Sequence, residues 1–243
     1  MTIVKLIHYL FSPCFSFLFL NMKTGEIKEN SLIVNEIFYS IQGESSKAGE
    51  PCIFIRLTGC GLRCSWCDTA YAFHEGKEMA FDEIYNEIGK YACNLIEFTG
   101  GEPLEQQPIF PFISRLCADG YEVLVESGGH VDISLLDKSA HCIMDVKCPG
   151  SKMEHRNRWE NIQLLKIKDE AKFVIADQND YEWAKKKLFE YKLHEKVGYV
   201  LFSPVFGVMD NLQLAEWILR DALPVRFQIQ MHKYIWHPLQ RGV

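Results

Sequence analysis

From residue 52 onward, short runs rich in β-branched and aromatic residues alternate with longer stretches whose apolar positions recur at helical spacing. That rhythm predicts repeated strand–helix units. Strands are expected at 52–57 (CIFIRL), 95–99 (LIEFT), 121–126 (YEVLVE), 141–146 (HCIMDV), 171–176 (AKFVIA), 197–202 (VGYVLF) and 225–230 (VRFQIQ). Helices are expected at 80–91, 108–119, 178–191 and 211–222, with Asp82 and Asn179 as candidate caps. Several strands are apolar on both faces, as in a parallel sheet covered by helices. Six or seven units are too few for a closed eight-unit barrel, so the expected class is α/β, a partial (open) βα barrel. Its site would lie at the C-terminal strand ends.

No internal repeat, Pro/Gly/Ser linker or low-complexity tract interrupts the chain. Residues 30–243 are therefore expected to form a single catalytic domain, preceded by an N-terminal extension at 1–29. That extension opens MTIVKLIHYLFSPCFSFLFL, one Lys and then an apolar run with no acidic residue before Glu26, which imitates a signal peptide. The run is broken at Pro13, falls short of the roughly 20 residues a spanning helix needs, and lacks a small-x-small cleavage site before Met22. The expectation is a dispensable segment, with Met22 as a possible start.

The 243 residues can bury one large core, and 48% apolar with 24% charged residues is an ordinary folded composition. Twenty-six basic against 32 acidic residues leave a net charge of -6, which argues against a partner gripped through nucleic-acid phosphates. A small molecule is the expected partner, with no nucleic acid and no membrane.

Nine cysteines, an odd number, cannot all pair internally. Cys14, Cys52, Cys93, Cys117, Cys142 and Cys148 are scattered through apolar or strand-like segments and are expected to be free thiols. The other three, Cys60, Cys64 and Cys67, cluster as Cys-x-x-x-Cys-x-x-Cys in TGCGLRCSWCDT, directly after a predicted strand. A structural zinc site would want four ligands, and His74 is the only near candidate for the fourth. A [4Fe-4S] cluster takes one protein ligand per iron, so three thiolates leave one iron open to a non-protein ligand. Gly59 and Gly61 would let the backbone wrap such a cluster.

CGLRCSWC resembles the signature of the radical S-adenosylmethionine superfamily, down to the aromatic Trp66, and the partial barrel would be of that type. Gly100, Gly101 and Glu102 in FTGGEPL resemble the stretch that binds the methionine amino group in those proteins. The resemblance implies that S-adenosylmethionine chelates the open iron and is split by one electron, giving a 5′-deoxyadenosyl radical that abstracts hydrogen from substrate.

Upstream, NEIFYSIQGESSKAGEPCIFIRLTGC (35–60) resembles the 7-carboxy-7-deazaguanine synthase family of the deazapurine route to queuosine. CDT, DVKCPGS (145–151), LFSPVFG (201–207) and QMHKYIW (230–236) share the likeness, which runs from about residue 30 to the C-terminus. The implied enzyme is a carbon–nitrogen lyase converting 6-carboxy-5,6,7,8-tetrahydropterin to 7-carboxy-7-deazaguanine with loss of ammonia. Carried over residue by residue, Ile41, Gln42, Gly43, Arg56, Thr99 and His232 would contact the substrate, Arg56 through its carboxylate. Gly100, Gly101, Glu102, Ser127, Asp145, Lys147, Ser203, Pro204, Val205, Phe206 and Gln230 would hold S-adenosylmethionine, and Thr69 would ligate Mg²⁺. Asp145 and Lys147 share a face at period two, though a mutual salt bridge would also explain them. A cytoplasmic homodimer served by flavodoxin or ferredoxin is implied. The competing readings are a glycyl-radical-enzyme activase, which would need a surface for a protein loop, and a non-catalytic iron–sulfur protein, which leaves TGGEP and DVK unexplained.

Overall fold

A computed structural model describes residues 29–243. Nearly all of the expected N-terminal extension, including Cys14 and Met22, lies outside the described residues. The strands are β1 (Ser31–Ile41), β2 (Pro51–Leu57), β3 (Lys77–Ala80), β4 (Leu95–Gly100), β5 (Glu122–Ser127), β6 (His141–Asp145), β7 (Glu170–Ile175), β8 (Tyr199–Pro204) and β9 (Arg226–Phe227). The helices are α1 (Phe81–Ile88), α2 (Ile109–Ala118), α3 (Gln178–Glu190), α4 (Leu193–Lys196), α5 (Asn211–Arg220) and α6 (His232–Ile235).

Among the described residues nine strands form one sheet in the order β3-β1-β2-β4-β5-β6-β7-β8-β9. From β2 to β9 every pairing is parallel, whereas β1 runs antiparallel to both β2 and β3. The sheet ends on β3 and β9, which do not pair with each other, so the barrel is partial and open as expected.

The parallel strands are buried on both faces, and their side chains alternate in direction with the two-residue period of a pleated sheet. Ile53, Ile55, Leu57, Ile96, Phe98, Val123, Val125, Phe173 and Phe202 point outward into the large core beneath the helices. Phe112 of α2 anchors that layer, stacking on Phe81 at 4.5 Å and meeting Phe98 edge-on at 6.0 Å. The inward positions begin apolar: Phe38, Cys52, Phe54, Leu95, Leu124 and Ile143 form a second, smaller cluster that plugs the N-terminal end of the barrel.

Three features differ from the sequence expectation. β1 and β3 were not anticipated: β1 carries Asn35 and Glu36 mid-strand and has a register shift between Val34 and Glu36, which breaks the alternation a strand is recognised by. β9 is two residues long rather than six, because the chain leaves the sheet at Gln228, whose side chain crosses to donate to the Ser45 carbonyl at 2.8 Å. The caps also move. Asp177, not Asn179, caps α3 by accepting from Asp180 N–H at 2.9 Å, and α1 starts after Ala80, whose N–H donates to Glu83 at 2.7 Å, with Asp82 inside the helix. Among the described residues no helix is long and apolar enough to cross a membrane.

Replacing Phe112, fully buried between two rings, should leave a cavity that α2 cannot close. Phe112→Ala should therefore lower the unfolding free energy by about 3–5 kcal/mol in anaerobic urea titrations, and a loss below about 1 kcal/mol would contradict this packing.

Candidate active site

Past the apolar plug, the inward side chains become polar toward the C-terminal strand ends: Arg56 on β2, Thr99 on β4, Glu126 on β5, Asp145 on β6 and Lys172 on β7. They line a cavity of about 700 Å³ together with Cys60, Cys64 and Cys67. The parallel register pairs Arg56 with Thr99 and Asp145 with Lys172, so one ring of the barrel wall carries the chemistry.

The cysteine loop leaves β2 and is tied down on several sides. Gly59 N–H donates to the Ala72 carbonyl at 2.9 Å, Gly61 N–H to Glu105 at 2.8 Å, and Ser65 N–H and Oγ to the Ser151 and Gly150 carbonyls at 3.1 and 2.7 Å. The DVKCPGS stretch thus buttresses the loop from β6. All three thiols are free. Burial pushes Cys60 up to about 11 against a Leu62 N–H, and burial also raises Cys64, opposed by the Lys147 ammonium. Thiols raised by burial need a cation before they ionise. His74 is exposed. Three thiols lining one cavity suit a cluster, in which each sulfur would meet its own iron.

The turn after β4 is pressed onto this loop. Gly101 N–H donates to Leu57 O at 3.0 Å and Glu102 N–H to Gly59 O at 2.7 Å. A Cβ at Gly101 would sit 1.8 Å from Gly59 O, and Gly100, at φ +129°, would place one 2.3 Å from Leu57 O. Both positions require glycine. The Glu102 carboxylate turns away from the cavity and accepts from Leu104 N–H (3.1 Å), Ser127 Oγ (3.1 Å) and Gly128 N–H (2.6 Å).

Of the residues expected from sequence, Arg56, Thr99, Gly101, Ser127, Asp145, Lys147, Val205, Phe206, Gln230, His232, Thr69 and the three cysteines line the cavity. Asp145 and Lys147 do bridge each other, at 2.6 Å, yet Asp145 Oδ1 stays buried without a hydrogen-bond partner, an orphan acceptor that a bound ligand would satisfy. Arg56 donates through Nε to Glu36 at 2.8 Å. Thr69 Oγ1 lies 3.5 Å from the Gly100 carbonyl and makes no helix-capping bond.

Ile41, Gln42, Gly43, Gly100, Glu102, Ser203 and Pro204 are not on the cavity wall. Gln42 is buried, its amide donating to Glu97 and accepting from Glu44 N–H at 2.8 Å, so its side chain cannot also reach into the cavity. Gly43 sits behind His232, whose Nδ1 would be 2.2 Å from an added Cβ.

The sequence reading missed a buried ion network. Lys172 donates to Glu44 at 2.9 Å and to Glu126, which also accepts from Thr99 Oγ1 at 3.1 Å. Burial would lower Lys172, but the Glu126 and Glu44 carboxylates hold it well above the usual lysine value. Burial pushes Glu97 well above the carboxylate range, and the charges of Glu126 and Glu44 add to the push. The signal was present in the sequence: Glu97 and Lys172 each interrupt an otherwise apolar strand run. Asp68 was missed too. It anchors Lys233 at 2.6 Å and Gln230 at 3.2 Å, strapping the C-terminal segment across the cysteine loop.

Comparison with known proteins places this geometry among relatives. Residues 54–146 match the Radical SAM superfamily. The chain is 44% identical over 224 residues to a 7-carboxy-7-deazaguanine synthase of Koribacter versatilis, covering 86% of this chain and 99% of that one. A Chlorobaculum tepidum protein of the same name is 45% identical over 218 residues, covering 88% and 99%. The crystal structure of QueE from Escherichia coli superposes with a TM-score of 0.70 at 21% identity, over 83% of this chain and 95% of that one, a likeness of fold.

Removing the Lys172 ammonium should expose the energetics of the network. Glu126 is held below its usual range because Lys172 and Thr99 outweigh its burial, so its contribution to stability is present above the unfolded-state value and lost as pH falls through the folded one. In Lys172→Met the largest opposition to burial is lost, which raises the Glu126 carboxyl, and folding is penalised above the raised value. The variant should be less stable by about 3–5 kcal/mol near pH 8, with a gap that narrows toward about pH 5. A pH-independent gap in urea titrations would contradict the pairing.

Proposed function

This chain belongs to the 7-carboxy-7-deazaguanine synthase family, and we propose that it catalyses the ring contraction of 6-carboxy-5,6,7,8-tetrahydropterin to 7-carboxy-7-deazaguanine, with loss of ammonia, in queuosine and deazapurine biosynthesis. The observation that carries the reading is the convergence of three free cysteines, an arginine and a buried acid–lysine network on one cavity. A [4Fe-4S] cluster held by those cysteines would, together with S-adenosylmethionine, supply the one-electron radical chemistry for hydrogen abstraction.

The chain's own residues bind, orient and exclude water. Cys60, Cys64 and Cys67 would each ligate one iron. Gly101, Ser127, Asp145, Lys147, Val205 and Phe206 would hold the sulfonium compound, with Asp145 Oδ1 as the buried acceptor still lacking a donor. Arg56 has Nε committed to Glu36, which aligns the guanidinium and leaves its terminal nitrogens to fork the substrate carboxylate. Thr69, whose hydroxyl lies 3.5 Å from the Gly100 carbonyl, would offer one oxygen to Mg²⁺, the rest coming from substrate and water. Gln42 and Gly43 would act through the backbone of their turn, because the Gln42 amide is spent on Glu97 and Glu44. Lys172, Glu126 and Glu44 set an ammonium and two carboxylates on the wall where substrate N–H groups must be recognised. Thr99, His232 and Gln230 complete that wall.

The Lys233–Asp68 strap favours a small substrate over the protein loop an activase would admit. We further assign the protein to the reducing cytoplasm, as a homodimer reduced by flavodoxin or ferredoxin.

Anaerobic protein reconstituted with iron and sulfide, then given dithionite, S-adenosylmethionine, Mg²⁺ and carboxytetrahydropterin, should release 7-carboxy-7-deazaguanine, identified by mass. Cys64→Ala should abolish turnover, and Arg56→Met should raise KM for the pterin at least about tenfold through loss of a charge-assisted contact. Cleavage of S-adenosylmethionine with the pterin left intact would refute the substrate assignment.

A further inference from the structure

Glu105 lies just beyond the glycine turn, outside every role considered so far. Its Oε1 accepts from Gly61 N–H, inside the cysteine loop, at 2.8 Å, and the same oxygen is 2.8 Å from Nε2 of His130. The His130 side chain is only 5% exposed, and its Nδ1 lies 3.6 Å from Glu102 Oε2, the oxygen that holds Gly128 N–H. An added Cβ at Gly61 would come within 2.6 Å of Glu105 Oε1, so the glycine is what lets the loop backbone reach this acid. Glu105 therefore ties the cysteine loop to His130, whose Nδ1 lies beside Glu102 without a hydrogen-bond partner.

We propose that Glu105, clasped by His130, is a positioning residue for the Cys60–Cys64 loop whose negative charge holds the reduction potential of the bound cluster low. The inference rests on the cluster-binding reading above. Its physical basis is Coulombic: a carboxylate beside the loop disfavours an added electron on a centre ligated by that loop. Burial would raise Glu105 itself, but the His130 and Gly61 bonds outweigh it and keep the carboxyl below its usual range, hence charged at neutral pH. Cations also face the loop, with Arg63 Nη1 on the Leu62 carbonyl at 2.6 Å and Arg156 Nη1 on the Gly61 carbonyl at 3.4 Å. Glu105 offsets them on the amide side. A lower potential makes the reduced cluster a stronger one-electron donor, as sulfonium cleavage demands.

The two parts of the role separate by substitution. Glu105→Gln keeps an oxygen for Gly61 N–H and removes the charge, whereas Glu105→Leu removes both. Full-length protein, reconstituted anaerobically without S-adenosylmethionine, is assayed for iron content and titrated by EPR-monitored redox potentiometry. Glu105→Gln should bind as much iron as the parent with a midpoint potential shifted positive, and Glu105→Leu should bind less iron than either. A parental potential in Glu105→Gln, iron loss equal in the two variants, or undiminished iron in Glu105→Leu would overturn the proposal. Absence of a reduced-cluster signal in the parent would instead strike at the cluster reading.

Discussion

Two loops meet backbone to backbone at the mouth of this barrel, and the rest of the site depends on that contact. The turn after β4 donates Gly101 N–H and Glu102 N–H to the carbonyls of Leu57 and Gly59, at 3.0 and 2.7 Å. No side chain fits between them. The contact places the cysteine loop, the cavity-lining Gly101 and the buried carboxylate of Glu102 in one rigid unit. From there Glu102 reaches the end of β5 through Ser127 and Gly128. A displacement at the first strand pair would be felt at the third strand, because the intervening groups are hydrogen-bonded and sealed from water.

The barrel wall solves a solvation problem by position along the strand. Inward residues near the N-terminal ends are apolar and close the barrel. Two or four residues later along the same strands, inward positions carry Arg56, Glu97, Thr99, Glu126 and Asp145, and β7 adds Lys172. Buried charges persist only when paired, and here they are: Arg56 with Glu36, Lys147 with Asp145, Lys172 with Glu44 and Glu126. Glu97 has Gln42 as its hydrogen-bond donor and is driven toward its neutral form by burial and its acidic neighbours. Such a wall is already polarised before substrate arrives, which spares the reorganisation that water would need.

Much of this was legible in the order of residues. Two-faced apolar runs located six parallel strands and four helices within a few residues, and the cysteine and glycine motifs fell on the strand ends where they were expected. What escaped was non-local. β1 is held by partners on both sides rather than by its own alternation, and β9 is shortened because Gln228 finds a better partner at Ser45. Side-chain direction escaped as well: Gln42 and Glu102 belong to the motifs by sequence, yet both spend their polar atoms on neighbouring backbone and side chains. Conversely, Glu126 and Lys172 look like isolated charges in strand runs until the fold brings them together across the intervening β6. Period two shows which face a residue takes, but not which other strand will supply its partner.

The most direct test of the account is the EPR spectrum of reduced, cluster-loaded Gly101→Ala protein with and without S-adenosylmethionine. The added methyl cannot coexist with the Gly59 carbonyl 1.8 Å away, so the two loops must part. The parent's cluster signal should change on adding S-adenosylmethionine, while the variant, still folded and still holding iron, should show little or no change. A variant whose spectrum responds as the parent's does would contradict the central claim that this backbone contact builds the site.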